Sequence, residues 1–111
     1  EDEISDWEAL LQLAKVLSYL KRYDESLQEF QRVLQENPNS SEASLEMAKV
    51  LFYSGRTQDA LREFARVPPQ DIDDATWVEI ADAYRKNKNY GQAREIYVQY
   101  LNKFPQDDRV R

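Results

Sequence analysis

Lys15 and Tyr19 stand four residues apart, and the same pair returns 34 residues later as Lys49 and Tyr53. A third set, Asp82 and Lys86 with Arg85 beside them, follows after another 33 residues. A spacing of four places two side chains one above the other on a helix face. The chemistry on offer is recognition: ammonium groups hold a carboxylate or a carbonyl oxygen, and phenol rings supply contact area at low entropic cost. Four residues before each set stand Leu11, Leu45 and Val78, an apolar row, and Phe52 lies beside the second tyrosine. These eleven side chains form the candidate partner-binding surface: Leu11, Leu45 and Val78 as its floor, Lys15, Lys49 and Asp82 as a charged row, and Tyr19, Phe52, Tyr53, Arg85 and Lys86 as a mixed row. The competing use of the floor is packing against a neighbouring helix pair, with the lysines merely solvated.

Other chemistries are removed by inventory. The chain has no cysteine and no histidine, which excludes disulfides, thiolate nucleophiles, zinc sites of the usual kind and histidine proton relays. The acidic runs "EDE" at the start and "DIDD" at 71–74 lack the glycine and terminal glutamate of a calcium loop. Helical carboxylates abound, yet the pattern supplies no apolar pocket to raise the pKa of one of them. No catalytic residue, metal or cofactor is therefore expected, and the chain does not read as an enzyme. Its formal charge of −6 repels a phosphate backbone, which removes nucleic acid from the expected partners. No run of about 18 apolar residues is present and the first residues are acidic, so direct membrane insertion is not expected either. What remains as a partner is a protein or a peptide.

The surface needs helices to hold it, and the composition favours them. Apolar residues make up 41 %, aromatics 12 %, and glycine occurs twice, too rich for disorder and too poor in turn formers for sheet. Helix-period stripes predict six helices at about 7–21, 24–37, 41–54, 57–67, 74–87 and 90–104. Asp6, Asp24, Ser40, Thr57 and Asp73 or Asp74 are the expected N-caps. Gly55 and Asn87 or Asn89 are the residues tolerant of a left-handed backbone at the hairpin turns. The first turn, "LKRYD", has neither glycine nor asparagine and should be the most strained. Pro68 and Pro69 should end the fourth helix and begin an extended connector over about 68–73.

The stripes also repeat. Leu10, Leu13, Ala14 and Leu17 are followed by Ser26 and Phe30; Ser44, Met47, Ala48 and Leu51 by Ala60 and Phe64; Trp77, Ile80, Ala81 and Tyr84 by Ala93 and Tyr97. Pro38 and Pro105 close the first and third copies. Ala14, Ala48 and Ala81 carry almost no side chain where paired helices would cross, with Ser26, Ala60 and Ala93 as their small partners. This pattern resembles the tetratricopeptide repeat, whose signature is W-x2-L-G-x2-Y, then A-x3-F, then P over about 34 residues.

The resemblance implies a right-handed all-α solenoid of three antiparallel helix-turn-helix hairpins in one domain, 1–111, with repeats at about 7–40, 41–73 and 74–107. It also implies a concave side lined by the first helix of each hairpin, where the candidate surface would lie. The carboxylate clamp of tetratricopeptide co-chaperones does not carry over, because its positions hold Leu11, Lys15, Lys49, Val78 and Asp82. The cadence "LAKVLSYLKRYDESLQEFQRVL" is similar to bacterial repeat arrays in envelope and exopolysaccharide-export proteins, which favours an envelope or periplasmic scaffold over a cytoplasmic one. The alternative is a secretion chaperone whose repeats form a cup for an export substrate. After Pro105, "QDDRVR" reads as the start of another first helix capped by Asp107 or Asp108, so the chain is expected to be a segment of a longer array. Tyr97, Tyr100, Leu101 and Phe104 would then face water and promote weak self-association.

Overall fold

The computed structural model describes residues 6–105; the "EDE" run and the expected cap at Asp107 or Asp108 lie outside the described residues. Six α-helices follow one another: α1 (Asp6–Tyr19), α2 (Tyr23–Glu36), α3 (Ser41–Tyr53), α4 (Thr57–Ala65), α5 (Asp74–Lys86) and α6 (Tyr90–Lys103), with a 3-10 helix over Pro69–Asp71. No strand occurs among the described residues. The chain divides into two compact units at Val67/Pro68. In the first, α1 packs on α2, α2 on α3, and α3 on α4; in the second, α5 packs on α6.

Each helix pair is built on small residues. Ala14, Ala48 and Ala81 are fully buried, as are Ser26 and Ala60, with Ala93 nearly so. The Ser26 hydroxyl donates to the Ala14 carbonyl at 2.7 Å across the first pair, which requires the two backbones to lie close together. Around these points the first unit buries Leu17, Phe30, Val33, Met47, Leu51 and Phe64, and the second buries Ile80, Ala83 and Tyr100.

The rotation of α1 differs from the expected one. Its buried residues are Leu11, Ala14 and Leu17, whereas Leu13, expected around the crossing, is 46 % exposed. Helix α1 has apolar residues at 7, 9, 10, 11, 13, 14, 16 and 17. Two overlapping stripes therefore satisfy the helical period, and packing on α2 selects the one centred on Ala14.

Two of the expected caps form: Ser40 accepts from the Ala43 amide and Asp73 from the Thr76 amide. Asp24 and Thr57 are not caps. Helices α2 and α4 start one residue after Arg22 and Arg56, with no side-chain cap hydrogen bond; Asp24 instead sits in the first turn, where its charge suits the helix dipole. Pro68 and Pro69 do terminate α4, but the connector is not wholly extended. A single 3-10 turn forms, closed by Asp71 N–H to Pro68 O at 2.9 Å and Ile72 N–H to Pro69 O at 3.1 Å. Prolines fit there because the first residues of such a turn need no amide donor. Ile72 and Asp73 then run extended into α5.

The three hairpin turns share one hydrogen-bond pattern. Arg22 N–H donates to Leu17 O and Lys21 N–H to Ser18 O; Arg56 to Leu51 and Gly55 to Phe52; Asn89 to Tyr84 and Lys88 to Arg85. This geometry needs a left-handed residue at its centre. Gly55 supplies it in the second turn (φ 88°), but Lys21 (φ 62°) and Lys88 (φ 66°) occupy it in the others. The first turn is therefore not uniquely strained. Asn87 and Asn89 flank the left-handed position of the third rather than filling it, at φ −85° and −88°. A left-handed non-glycine residue costs about 1–2 kcal/mol, partly offset by glycine's larger entropy loss. Lys21→Gly and Lys88→Gly should each stabilise the fold by about 0.5–1 kcal/mol in thermal melts, and Gly55→Ala should destabilise it by a similar amount. Among the described residues, no atom beyond Gly55 and its two chain neighbours lies within 4 Å of a Cβ at that position, so that loss would be backbone strain and not a clash.

Candidate functional site

In the first unit the candidate residues fall on α1 and α3. Leu11 does not form part of an open floor: it is 2 % exposed, because it belongs to the stripe that α1 turns inward. Leu45 is half-buried. Lys15 and Lys49 are not free cations. Lys15 Nζ donates to Glu42 Oε2 at 3.2 Å, and Lys49 Nζ lies 3.6 Å from Glu46 Oε2. The hydrogen bond that Lys15 donates to Glu42 raises the Lys15 pKa, with the charges of Glu42 and Glu46 adding to it against partial burial. Solvated pairs of this kind are weak and exchange readily with a competing carboxylate. The open part is aromatic: Tyr19 is 72 % exposed, Tyr53 is exposed, and Phe52 is half-buried with its ring centroid 6.1 Å from that of Tyr53.

In the second unit Val78 is likewise buried, at 5 % exposure, three residues before the buried Ala81 on the same side of α5 and not on an open floor. Asp82 and Arg85 are joined through α6. The Tyr97 hydroxyl donates to Asp82 Oδ1 at 2.5 Å and accepts from Arg85 Nε at 3.2 Å, while Arg85 Nη2 lies 3.7 Å from Asp82. Lys86 is exposed. The expected aromatic patch at the end of α6 is smaller than the sequence implied. Tyr100 is buried with its ring 4.9 Å from Phe104, Tyr97 is held by Asp82, and Leu101 is half-buried; Val98 and Phe104 remain exposed.

Two concavities escaped the sequence reading. A slot of about 190 Å3 in the second unit is lined by Trp77, Ile96 and Tyr100 together with Asp74 and Lys103, which form an ion pair of 2.9 Å. A larger groove of about 570 Å3 in the first unit runs between α2 and α4 over Met47 and Leu51. Glu63 lines it, buried at 8 % exposure. The available signal was its place on the Ala60–Glu63–Phe64 stripe, where a core-facing position carries a charge.

A sequence profile described as tetratricopeptide repeat matches residues 17–78, and a second of the same description matches residues 75–107. The chain belongs to the tetratricopeptide repeat family. Solved structures agree in fold. YrrB, described as a TPR protein with an unusual peptide-binding site, is 24 % identical with a TM-score of 0.78 over 93 % of this chain and 54 % of YrrB. MamA from Desulfovibrio magneticus RS-1, residues 41 to the end, is 21 % identical with a TM-score of 0.81 over 95 % of this chain and 60 % of that one. This tetratricopeptide chain thus spans between about half and three-fifths of the length of those two proteins. No curated protein matches it. Among the described residues of this family member, no helix is long and apolar enough to cross a membrane.

The Tyr97 cluster yields a pH prediction. Burial raises the Tyr97 pKa, the hydrogen bond to Asp82 raises it further, and Arg85 opposes both. A folded pKa above the unfolded one means that this contribution to stability is complete below about pH 10 and is lost as pH rises through the folded value. The absorbance difference between wild type and Tyr97→Phe across an alkaline titration should therefore show a tyrosinate step centred above pH 10, the ordinary tyrosine value.

Proposed function

We propose that the chain is a protein-interaction scaffold segment that binds a partner polypeptide through the α1–α3 face of its first unit. The observation that carries this reading is the pair Tyr19 and Tyr53, which recur at the repeat interval and stand exposed beside Lys15 and Lys49 on the same helices. Exposed tyrosines on rigid helices give area with little ordering cost. The neighbouring ion pairs can open to accept a carboxylate or a carbonyl oxygen. Leu45 and Phe52 belong to the same face of the first unit, with the buried Leu11 on its helix; partner contact by Asp82, Arg85 and Lys86 on α5 of the second unit, with the buried Val78 on that helix, is proposed separately. The description of YrrB as a peptide-binding repeat protein is consistent with a polypeptide ligand. A place in a bacterial envelope or polysaccharide-export assembly is the finer form of this reading and rests on the cadence of residues 13–34.

The test uses peptides selected from a random display library against the folded chain. Lys49→Glu combined with Tyr53→Ala should weaken the selected peptides at least about tenfold with only a modest fall in melting temperature, since Tyr53 is exposed and Lys49 is half-buried beside Glu46. Full retention of binding by this variant, with loss on substitution of exposed residues of α2 or α4, would reject the α1–α3 face.

Self-association through the end of α6 is proposed on a reduced basis, with Val98, Leu101 and Phe104 as the contact. Light scattering over a concentration series should show a rising mean mass that Phe104→Ser abolishes. A constant monomer mass at high concentration would refute the contact.

A further inference from the structure

The groove between α2 and α4 has a charge arrangement that the α1–α3 face does not share. Asp24, Asp59 and Glu63 line it, together with Arg56 and Arg62. Both arginines are engaged: Arg56 Nη2 donates to Asp24 Oδ1 at 2.6 Å, and Arg62 pairs with Asp59. Their charges cancel within the lining and leave that of Glu63. Glu63 Oε1 forms an ion pair with the exposed Arg66 Nη1 at 3.7 Å, longer than a hydrogen bond and contributed by a residue outside the lining. Glu63 Oε2 is buried and has no hydrogen-bond partner among the described residues. A buried carboxylate oxygen without a donor is unfavourable, and a charged donor that reaches it gains a strong hydrogen bond. The way in is apolar, over Leu27, Met47 and Leu51.

We propose that this groove is a binding site for a lysine side chain of a partner polypeptide. The aliphatic stem would lie along Leu27, Met47 and Leu51, and the ammonium would donate to Glu63 Oε2. Three features select this occupant. The residual charge of the lining is negative, the floor matches a four-carbon stem, and Glu63 lines the groove at only 8 % exposure, so that a compact ammonium would enter more readily than a planar guanidinium. The site is independent of the α1–α3 face and shares no residue with it.

The probe is the peptide acetyl-Ala-Lys-Ala-amide, titrated into the isotopically labelled chain and followed by amide chemical shifts. The same peptide with norleucine in place of lysine is the control, having the stem without the charge. The lysine peptide should produce saturable shifts centred on Gln28, Gln31, Leu51 and Glu63, and should bind at least about tenfold more tightly than the norleucine peptide. Glu63→Gln should remove that preference. Equal affinity of the two peptides, unsaturable shifts spread over the acidic surface, or an unchanged preference in Glu63→Gln would each overturn the proposal. Should Glu63→Gln fail to fold, Gln31→Lys supplies the second test. Gln31 is exposed on the groove wall, so a lysine there would compete from within the chain and weaken the peptide about threefold or more, and undiminished binding would refute the site.

Discussion

Everything in this chain depends on how closely two helix backbones can approach. Ala14, Ala48 and Ala81 are completely buried, and each is the point where the chain can fold a helix back on its partner without a side chain in between. A leucine at any of them would push the pair apart and disturb the packing of Phe30 or Phe64, at a cost of about 1–3 kcal/mol. The larger apolar residues then fill the flanks of the crossing and need only the right approximate volume. This division explains why small residues hold their register so strictly through the three copies while the large ones vary between leucine, methionine, isoleucine and tyrosine.

The same division decides what could be read from the sequence. Helix positions were legible because the stripes obey the 3.6-residue period and end at prolines and turn residues; Ser40, Asp73 and Gly55 act as their chemistry requires. The rotation of α1 was not legible, because two apolar stripes overlap on it and only the contact with α2 chooses between them. That ambiguity also misplaced Leu11, and the same error befell Val78 on α5: a position one step from the expected stripe was assumed to face outward and in fact lies inside. The left-handed lysines were illegible for another reason. The turn imposes φ on whichever residue stands there, so asparagine was expected on propensity, yet Lys88 between two asparagines takes the strain.

Charge was the least legible property. The composition shows many acids and bases but not their pairing. The structure consumes most of them locally, as in Lys49 with Glu46, Arg85 with Asp82 and Arg22 with Glu25. Isolated pairs of this kind add little stability, but they remove free cations from the α1–α3 face and shift the proposed recognition there toward aromatic contact. Against that background, Glu63 stands out as a carboxylate that packing has drawn inward without giving both of its oxygens a donor.

The hydroxyl of Ser26 reaches a main-chain carbonyl, that of Ala14, and not a side chain. Main-chain groups are present in every copy whatever its sequence, so this bond does not tie the second helix of the first hairpin to the particular first helix it now covers. Placed over α3 or α5 by duplication or recombination, the serine would meet the carbonyl of Ala48 or Ala81 in the corresponding place. A polar contact of this type is portable. It can be copied with its hairpin into a new neighbourhood and still be satisfied, which lets an array gain or exchange members without a matching substitution elsewhere.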